Sequence, residues 1–194
     1  MKKFELTTEF ITNFLGTKLF RIKALVEFGK VEKGELGGFV EKEENLDHDG
    51  DAWVSGDAMV YGNARVYGNA EVYGNARVYG DAMVYGNARV SGNARVYGNA
   101  WVSGNARVSG DAWVSGDQMY AAVKGFGSEY RNTTFFITKD GNVCVNCGCF
   151  SGTLEQFREK VEETHKDTKY AKEYLMIADL MEMHFKEELE KIKK

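Results

Sequence analysis

Three cysteines, Cys144, Cys147 and Cys149, form a C-x2-C-x-C pattern, and His165 follows along the chain. Thiolates and an imidazole are ligands that zinc takes, and four protein ligands would make such a site structural, with no position open to substrate. The spacing is not one of the common zinc-finger patterns, and free cysteines pack well in cores, so packing is the expectation and no metal or other cofactor is assigned. His48 stands between Asp47 and Asp49, where a carboxylate could orient it as a base, or where it is a half-exposed residue of an irregular turn. The third group is periodic. Arg77 and Arg95, Arg89 and Arg107, and Tyr61, Tyr79 and Tyr97 recur at intervals of eighteen residues, and Trp113 follows Arg95 at the same interval. Arginines beside tyrosines and a tryptophan suit an anionic, aromatic ligand such as a nucleotide, and they equally suit a protein interface.

What positions these columns is a six-residue word: Gly, Asn or Asp, Ala, a variable residue, Val, then Tyr or Ser. It runs without a slip from Gly50 to Asp117, with eleven alanines from Ala52 to Ala112 and eleven valines from Val54 to Val114. In extended chain, Ala and Val two apart share one face, and the variable residue and Tyr or Ser share the other. Ala and Val are therefore expected inside and the rest outside, with Gly-Asn or Gly-Asp as the corner. Strands this short bury little alone. Stacked three to a turn, they make a triangular coil with a column of Val and Ala at its centre and rungs about 4.8 Å apart. Each prism face then carries one column of variable residues: Trp53, Glu71, Arg89 and Arg107; Met59, Arg77, Arg95 and Trp113; Arg65, Met83, Trp101 and Met119. Glu71 over Arg89 satisfies itself, whereas Arg77 over Arg95 and Arg89 over Arg107 stack like charges. Exposed Trp, Met and Tyr are too apolar for a lone rod, so association is expected.

The expected organisation is an N-terminal cap over residues 1–39, the coil over 40–119, and a small α+β module over 120–194. Asn45, Leu46 and Gly50 fall in the repeat's phase, which starts the first coil near residue 40. "KLFRIKALVEF" reads as a short strand and turn of the cap. In the module, "TTFFIT" and "NVCV" flank Lys139-Asp140-Gly141, a hairpin signal. Thr153 and Gln156 form a capping box before "LEQFREKVEETH". A second helix is predicted from about Asp167 to the end, with Tyr170, Tyr174, Ile177, Met181 and Phe185 as its apolar stripe.

The word "V-Y-G-N-A-R" resembles the hexapeptide repeat of left-handed parallel β-helix proteins. The segments "GELGGFVEKEENLDHDGDAWV" (34–54) and "CGCFSGTLEQF" (147–157) resemble phage and prophage proteins of that type, some described as hexapeptide acyltransferases or polymer-forming proteins. The resemblance implies a mainly β fold, a left-handed parallel β-helix with eighteen residues per coil, and a homotrimer packed along its prism faces. In the acyltransferases a histidine serves as base, often near a loop that interrupts the coil. Here no loop interrupts the repeat, and none of the three histidines, His48, His165 and His184, lies in its regular part.

Composition narrows the rest. A net charge of -4 gives no reason to expect nucleic-acid binding. No stretch approaches membrane-spanning length, "FELTTEFITNF" lacks the apolar run of a signal peptide, and an odd cysteine count fits a reducing compartment. The expectation is a non-enzymatic phage or prophage binding protein in the bacterial host cytoplasm. It would counter host defence by sequestering a nucleotide signal or occluding a host protein. A hexapeptide-type acyltransferase using His48 or His165, and a structural or assembly module, are the alternatives.

Overall fold

The computed structural model describes residues 1–192, and the chain forms two compact units, Met1–Asp111 and a second that begins at Ala112. The first is a parallel β-solenoid. Each six-residue word gives a two-residue strand made of the variable residue and Val, such as Arg65–Val66, Met83–Val84 and Trp101–Val102. Three stacks result: Met59–Val60, Arg77–Val78, Arg95–Val96; Trp53–Val54, Glu71–Val72, Arg89–Val90, Arg107–Val108; and Arg65–Val66, Met83–Val84, Trp101–Val102. Neighbouring coils are in register at eighteen residues, Arg65 opposite Met83 and Arg77 opposite Arg95. Rung-to-rung bonding continues past the strands. The Tyr67 amide donates to the Val84 carbonyl at 3.1 Å, and the Asn63 amide at the corner donates to Gly80 at 2.9 Å. The repeat's alanines from Ala52 to Ala106 and valines from Val54 to Val108 are all 0 % exposed, the buried pair the alternation predicts. A narrow interior admits the small Ala methyl where a larger side chain would overpack.

The corners need glycine for two reasons. At Gly80 the backbone sits at φ +74°, and a Cβ there would lie 3.0 Å from the Gly98 nitrogen of the next coil. The Asn beside it does more than tolerate a turn. Asn69 Nδ2 donates to Asn87 Oδ1 at 3.2 Å, Asn87 in turn to Asn105 at 3.3 Å, and Asn63 to Asp81 at 3.0 Å. These side-chain ladders run up the prism edges, each asparagine amide donating to the side-chain oxygen of the Asn or Asp one coil away.

The first coil departs from the counted phase. Strand Leu36–Val40 pairs parallel with Met59–Val60, Phe39 opposite Met59, and Leu46 lies opposite Val66, both twenty residues apart. From Trp53 opposite Glu71 the interval is eighteen. Leu46, in phase with Ala64 by counting, thus holds a Val position, and two extra residues are absorbed between Leu46 and Ala52. "KLFRIKALVEF" forms the expected strand, Lys18–Ala24, followed by a turn, but it also has partners the sequence did not announce: Phe4–Thr12 pairs antiparallel with it, and it pairs antiparallel with Leu36–Val40, so the N-terminal residues extend one stack. This supplies the first coil on one face. On the others, side chains stand in for the missing coil. Lys3 Nζ donates to the Gly50 and Ala52 carbonyls at 3.1 and 2.9 Å, and Asn45 Nδ2 to those of Gly62 and Ala64 at 3.1 and 2.8 Å.

The second unit opens with strand Trp113–Val114 and a 3-10 turn, Asp117–Met119. Met119, expected on an outer face, is buried, because the turn replaces the strand and aims its sulfur at the Ser115 hydroxyl, 2.8 Å away. A four-stranded antiparallel meander follows: Tyr120–Phe126, Arg131–Ile137, Val143–Cys147 and Phe150–Thr153. Two helices complete it, α1 (Leu154–His165) and α2 (Lys169–Ile192). The capping box forms as predicted, Thr153 Oγ1 accepting from the Gln156 amide at 3.2 Å and Gln156 Oε1 from the Thr153 amide at 2.9 Å. α2 buries Tyr174, Ile177, Met181 and Phe185, together with Ala171 and Ala178. Its predicted run to the end includes Lys193 and Lys194, which lie outside the described residues.

Candidate functional site

The variable letter of each word points outward, so every arginine column is a property of strand register. Arg77 stands opposite Arg95, and Arg89 stands between Glu71 and Arg107. Their companions form aromatic stacks. The rings of Tyr61 and Tyr79 lie 5.0 Å apart at 1°, those of Tyr79 and Tyr97 5.1 Å apart at 8°, and those of Tyr67 and Tyr85 4.9 Å apart at 2°. Identical coils impose this parallel stacking, with ring spacing set by the rungs.

The expectation that these tyrosines all face solvent fails at Tyr61, which is 5 % exposed. The N-terminal hairpin runs beside it, and Tyr61 packs into an outer cluster with Leu19 and Phe39, flanked by Ile11, Met59 and Tyr79. Trp53 is covered in the same way, with Phe28 edge-on at 5.4 Å. Of the predicted site residues in the first unit, Tyr61 is thus an anchor rather than a surface. Arg77, Arg95, Arg89, Tyr79 and Tyr97 are half-buried and Arg107 is exposed. Trp113 belongs to the second unit, where it is half-buried.

Burial raises the Tyr61 and Tyr79 hydroxyls above their ordinary pKa, and a neighbouring tyrosine adds to the rise; Arg77 and Arg95 pull the other way. Those opposing pulls place both guanidinium groups within electrostatic reach of the tyrosine column. Among the described residues, Arg77 has no carboxylate partner. Arg89 does: its Nε lies 3.3 Å from Glu71 Oε2.

A cleft of about 480 Å³ opens over the Glu71–Arg89 stack, walled by Lys30, Val31 and Glu35 and floored by Trp53, Ser55 and Tyr73. Sequence reasoning missed it, because its wall comes from a loop outside the repeat. Glu71 neutralises Arg89 there, and Asp51 and Glu35 offset Lys30, so the cleft lacks the positive charge an anion needs.

His48 is held by the cap. Its Nδ1 accepts from the Lys3 amide at 3.2 Å, its ring stacks on Phe4 at 4.4 Å, and its Nε2 lies 3.6 Å from Glu43. In the second unit, Cys147, Cys149 and His165 line one cleft of about 270 Å³ with Arg131 and Tyr174, and Cys144 is not among its lining residues. Cys144 and Cys147 are three apart on one strand and so point to opposite faces. The Thr133 hydroxyl donates to Cys147 Sγ at 3.1 Å, and the thiol is 3.7 Å from the Tyr174 hydroxyl, whose pKa is raised by burial and by that contact. Among the described residues, no group of three or more His, Cys, Asp or Glu is arranged to hold a metal ion, and no helix is long and apolar enough to cross a membrane.

A comparison with curated proteins finds no match. The solenoid does match a family model, that of the YdcK β-solenoid repeat, over residues 52–68, 60–74, 70–86, 76–90, 88–104 and 100–116. The matched segments are the coils whose Ala–Val interior, glycine corners and eighteen-residue register are described above, and neither the N-terminal hairpin nor the α+β elements take part. The chain is a repeat β-helix protein whose coils are similar to the YdcK β-solenoid.

Proposed function

We propose that this is a non-enzymatic binding protein whose recognition surface is the outer side of the Arg77–Arg95 stack. The observation that carries the reading is the parallel tyrosine column, Tyr61–Tyr79–Tyr97, with two guanidinium groups from successive coils beside it. Two like-charged side chains in register on strands about 4.8 Å apart disfavour each other. An anion that bridges them relieves that repulsion and gains charge-assisted hydrogen bonds. The column is anchored at Tyr61 by Leu19 and Phe39, so the surface is rigid before a ligand arrives and little ordering entropy opposes binding. An anionic aromatic molecule of nucleotide type fits that chemistry.

The phage-like segments 34–54 and 147–157 supply the context for this reading: a phage or prophage protein acting in the bacterial host cytoplasm, removing a nucleotide signal on which host defence depends. A homotrimer packed along the prism faces belongs to the same proposal. Trp101, 49 % exposed, in register with Met83 on another face, supports burial of that face between subunits.

The test is a native mass spectrum of gently purified protein beside its Arg77→Ala/Arg95→Ala variant. Bound mass of nucleotide size in the first, absent in the second at unchanged melting temperature, is the expected result. A bare protein that also fails to bind added mono-, di- and cyclic nucleotides would overturn the reading.

A further inference from the structure

α2 buries one side, and the opposite side carries an apolar stripe with nothing of the described chain upon it. Met176 is 72 % exposed, Leu180 49 % and Met183 68 %. Their spacing of four and three residues puts them on one line along the helix, opposite Ala171, Tyr174, Ala178 and Phe185. The charges that continue this line are segregated. Lys169 and Lys172 precede the stripe; Glu187 and Glu190 follow it, and all four are exposed. Among the described residues, Lys172, Glu187 and Glu190 form no salt bridge, while Lys169 makes one long contact, 3.7 Å to Glu173.

We propose that α2 pairs antiparallel with α2 of a second copy of this chain. The argument is self-complementarity about a single point. A two-fold axis passing between Asp179 and Leu180 brings Lys172 of each chain opposite Glu187 of the other, Lys169 opposite Glu190, and Met176 opposite Met183. One axis satisfies all three pairings, in both directions, as an isologous contact requires. The charged pairs lie at the ends, about 22 Å apart along the helix, and rim the methionines. A parallel arrangement would instead face Lys172 with Lys172 and Glu187 with Glu187. The helix orientation is thereby fixed by charge, and the adaptable methionine side chains fill the seam. The pairing rests on the second unit alone and is independent of the ligand surface proposed for the solenoid.

The test is sedimentation of the full chain over roughly 10 µM to 1 mM, a range that covers weak contacts. Alongside it run Lys172→Glu, Lys172→Glu/Glu187→Lys and Met176→Glu/Met183→Glu, with circular dichroism to check each fold. The substituted positions are exposed, so folding should be unaffected. The expected result is a twofold fall in associated mass for the first and third variants and its restoration in the second, where the charges are exchanged. A wild-type chain whose mass never doubles with concentration, or a doubling that survives Met176→Glu/Met183→Glu, would overturn the proposal. So would a failure of the charge exchange to restore what Lys172→Glu removes.

Discussion

The Lys3 ammonium donates a 2.9 Å hydrogen bond to the carbonyl oxygen of Ala52, forty-nine residues away, and a second at 3.1 Å to Gly50. Inside the solenoid such carbonyls bond to amides of the preceding coil, as Gly68 and Ala70 do with Ala52 and Trp53. Ala52 has no preceding coil on its face, and a buried carbonyl without a donor costs free energy. Lys3 is therefore an end cap made of a side chain. Burial lowers its pKa, against the pull of Asp47, Asp51 and Asp49. Lys3→Met keeps the stem and removes the donors. The expected loss is about 1–3 kcal/mol, reduced by relief from burying a charge, and read as a lower urea midpoint at unchanged slope. An unchanged midpoint would mean that the exposed coil end needs no cap.

That contact also marks where sequence reading stops. The coil was legible because one physical rule, Ala and Val inside and Gly at the corner, is written eleven times, and its period fixes the register. The capping box at Thr153 and Gln156 and the hairpin at Lys139-Asp140-Gly141 were legible because their signals are local. Lys3 to Ala52, Tyr61 to Leu19 and Trp53 to Phe28 each join the repeat to a segment outside it. Nothing periodic announces such pairs. The alternation says which way Tyr61 points, but not that an N-terminal hairpin will lie there. The same holds for the cleft over Glu71 and Arg89, whose wall is a loop remote in sequence.

The tyrosine columns predict a direction at alkaline pH. Burial and neighbouring hydroxyls raise Tyr61, Tyr67 and Tyr79 above 10.0. A group raised on folding gives stability that is complete below its unfolded pKa and is lost as pH rises through the folded one. Lys3, lowered on folding, runs the other way, so its penalty fades as pH climbs toward 10.5. Tyr174 is raised as well, so four tyrosines against one lysine should leave a net fall. Urea midpoints between about pH 9 and pH 11 should decline, and Tyr61→Phe should flatten the decline. A Tyr61→Phe slope equal to wild type would detach the effect from the column.

The Glu71–Arg89 contact should contribute little. Their side chains are 41 % and 39 % exposed, and water and salt screen pairs of that kind. A double-mutant cycle with Glu71→Gln and Arg89→Gln should give a coupling below about 1 kcal/mol that vanishes in high salt. Arg107, opposite Arg89 on the next strand, sharpens the test. Glu71→Gln takes a carboxylate away from that like-charge pair, so the loss it causes should be smaller in an Arg107→Gln background than in the wild type.

Two glycines separate the two demands that the corners place on the chain. Gly80 and Gly104 share the left-handed backbone, φ +74° and +66°, in which an L side chain is strained. Their surroundings differ. A Cβ on Gly80 would come within 3.0 Å of the Gly98 nitrogen, whereas one on Gly104 would have nothing within 4 Å. Gly104→Ala therefore reports conformational strain alone, about 1–2 kcal/mol. Gly80→Ala adds a clash with main chain that cannot swing aside, because its neighbours are held rung to rung by the Asn63 and Asp81 amides. It should cost more than Gly104→Ala, with the excess measuring how stiff the coil spacing is. If urea melts give the two variants equal losses, the coils yield by a few tenths of an ångström without cost, and glycine is required at these corners only for its φ.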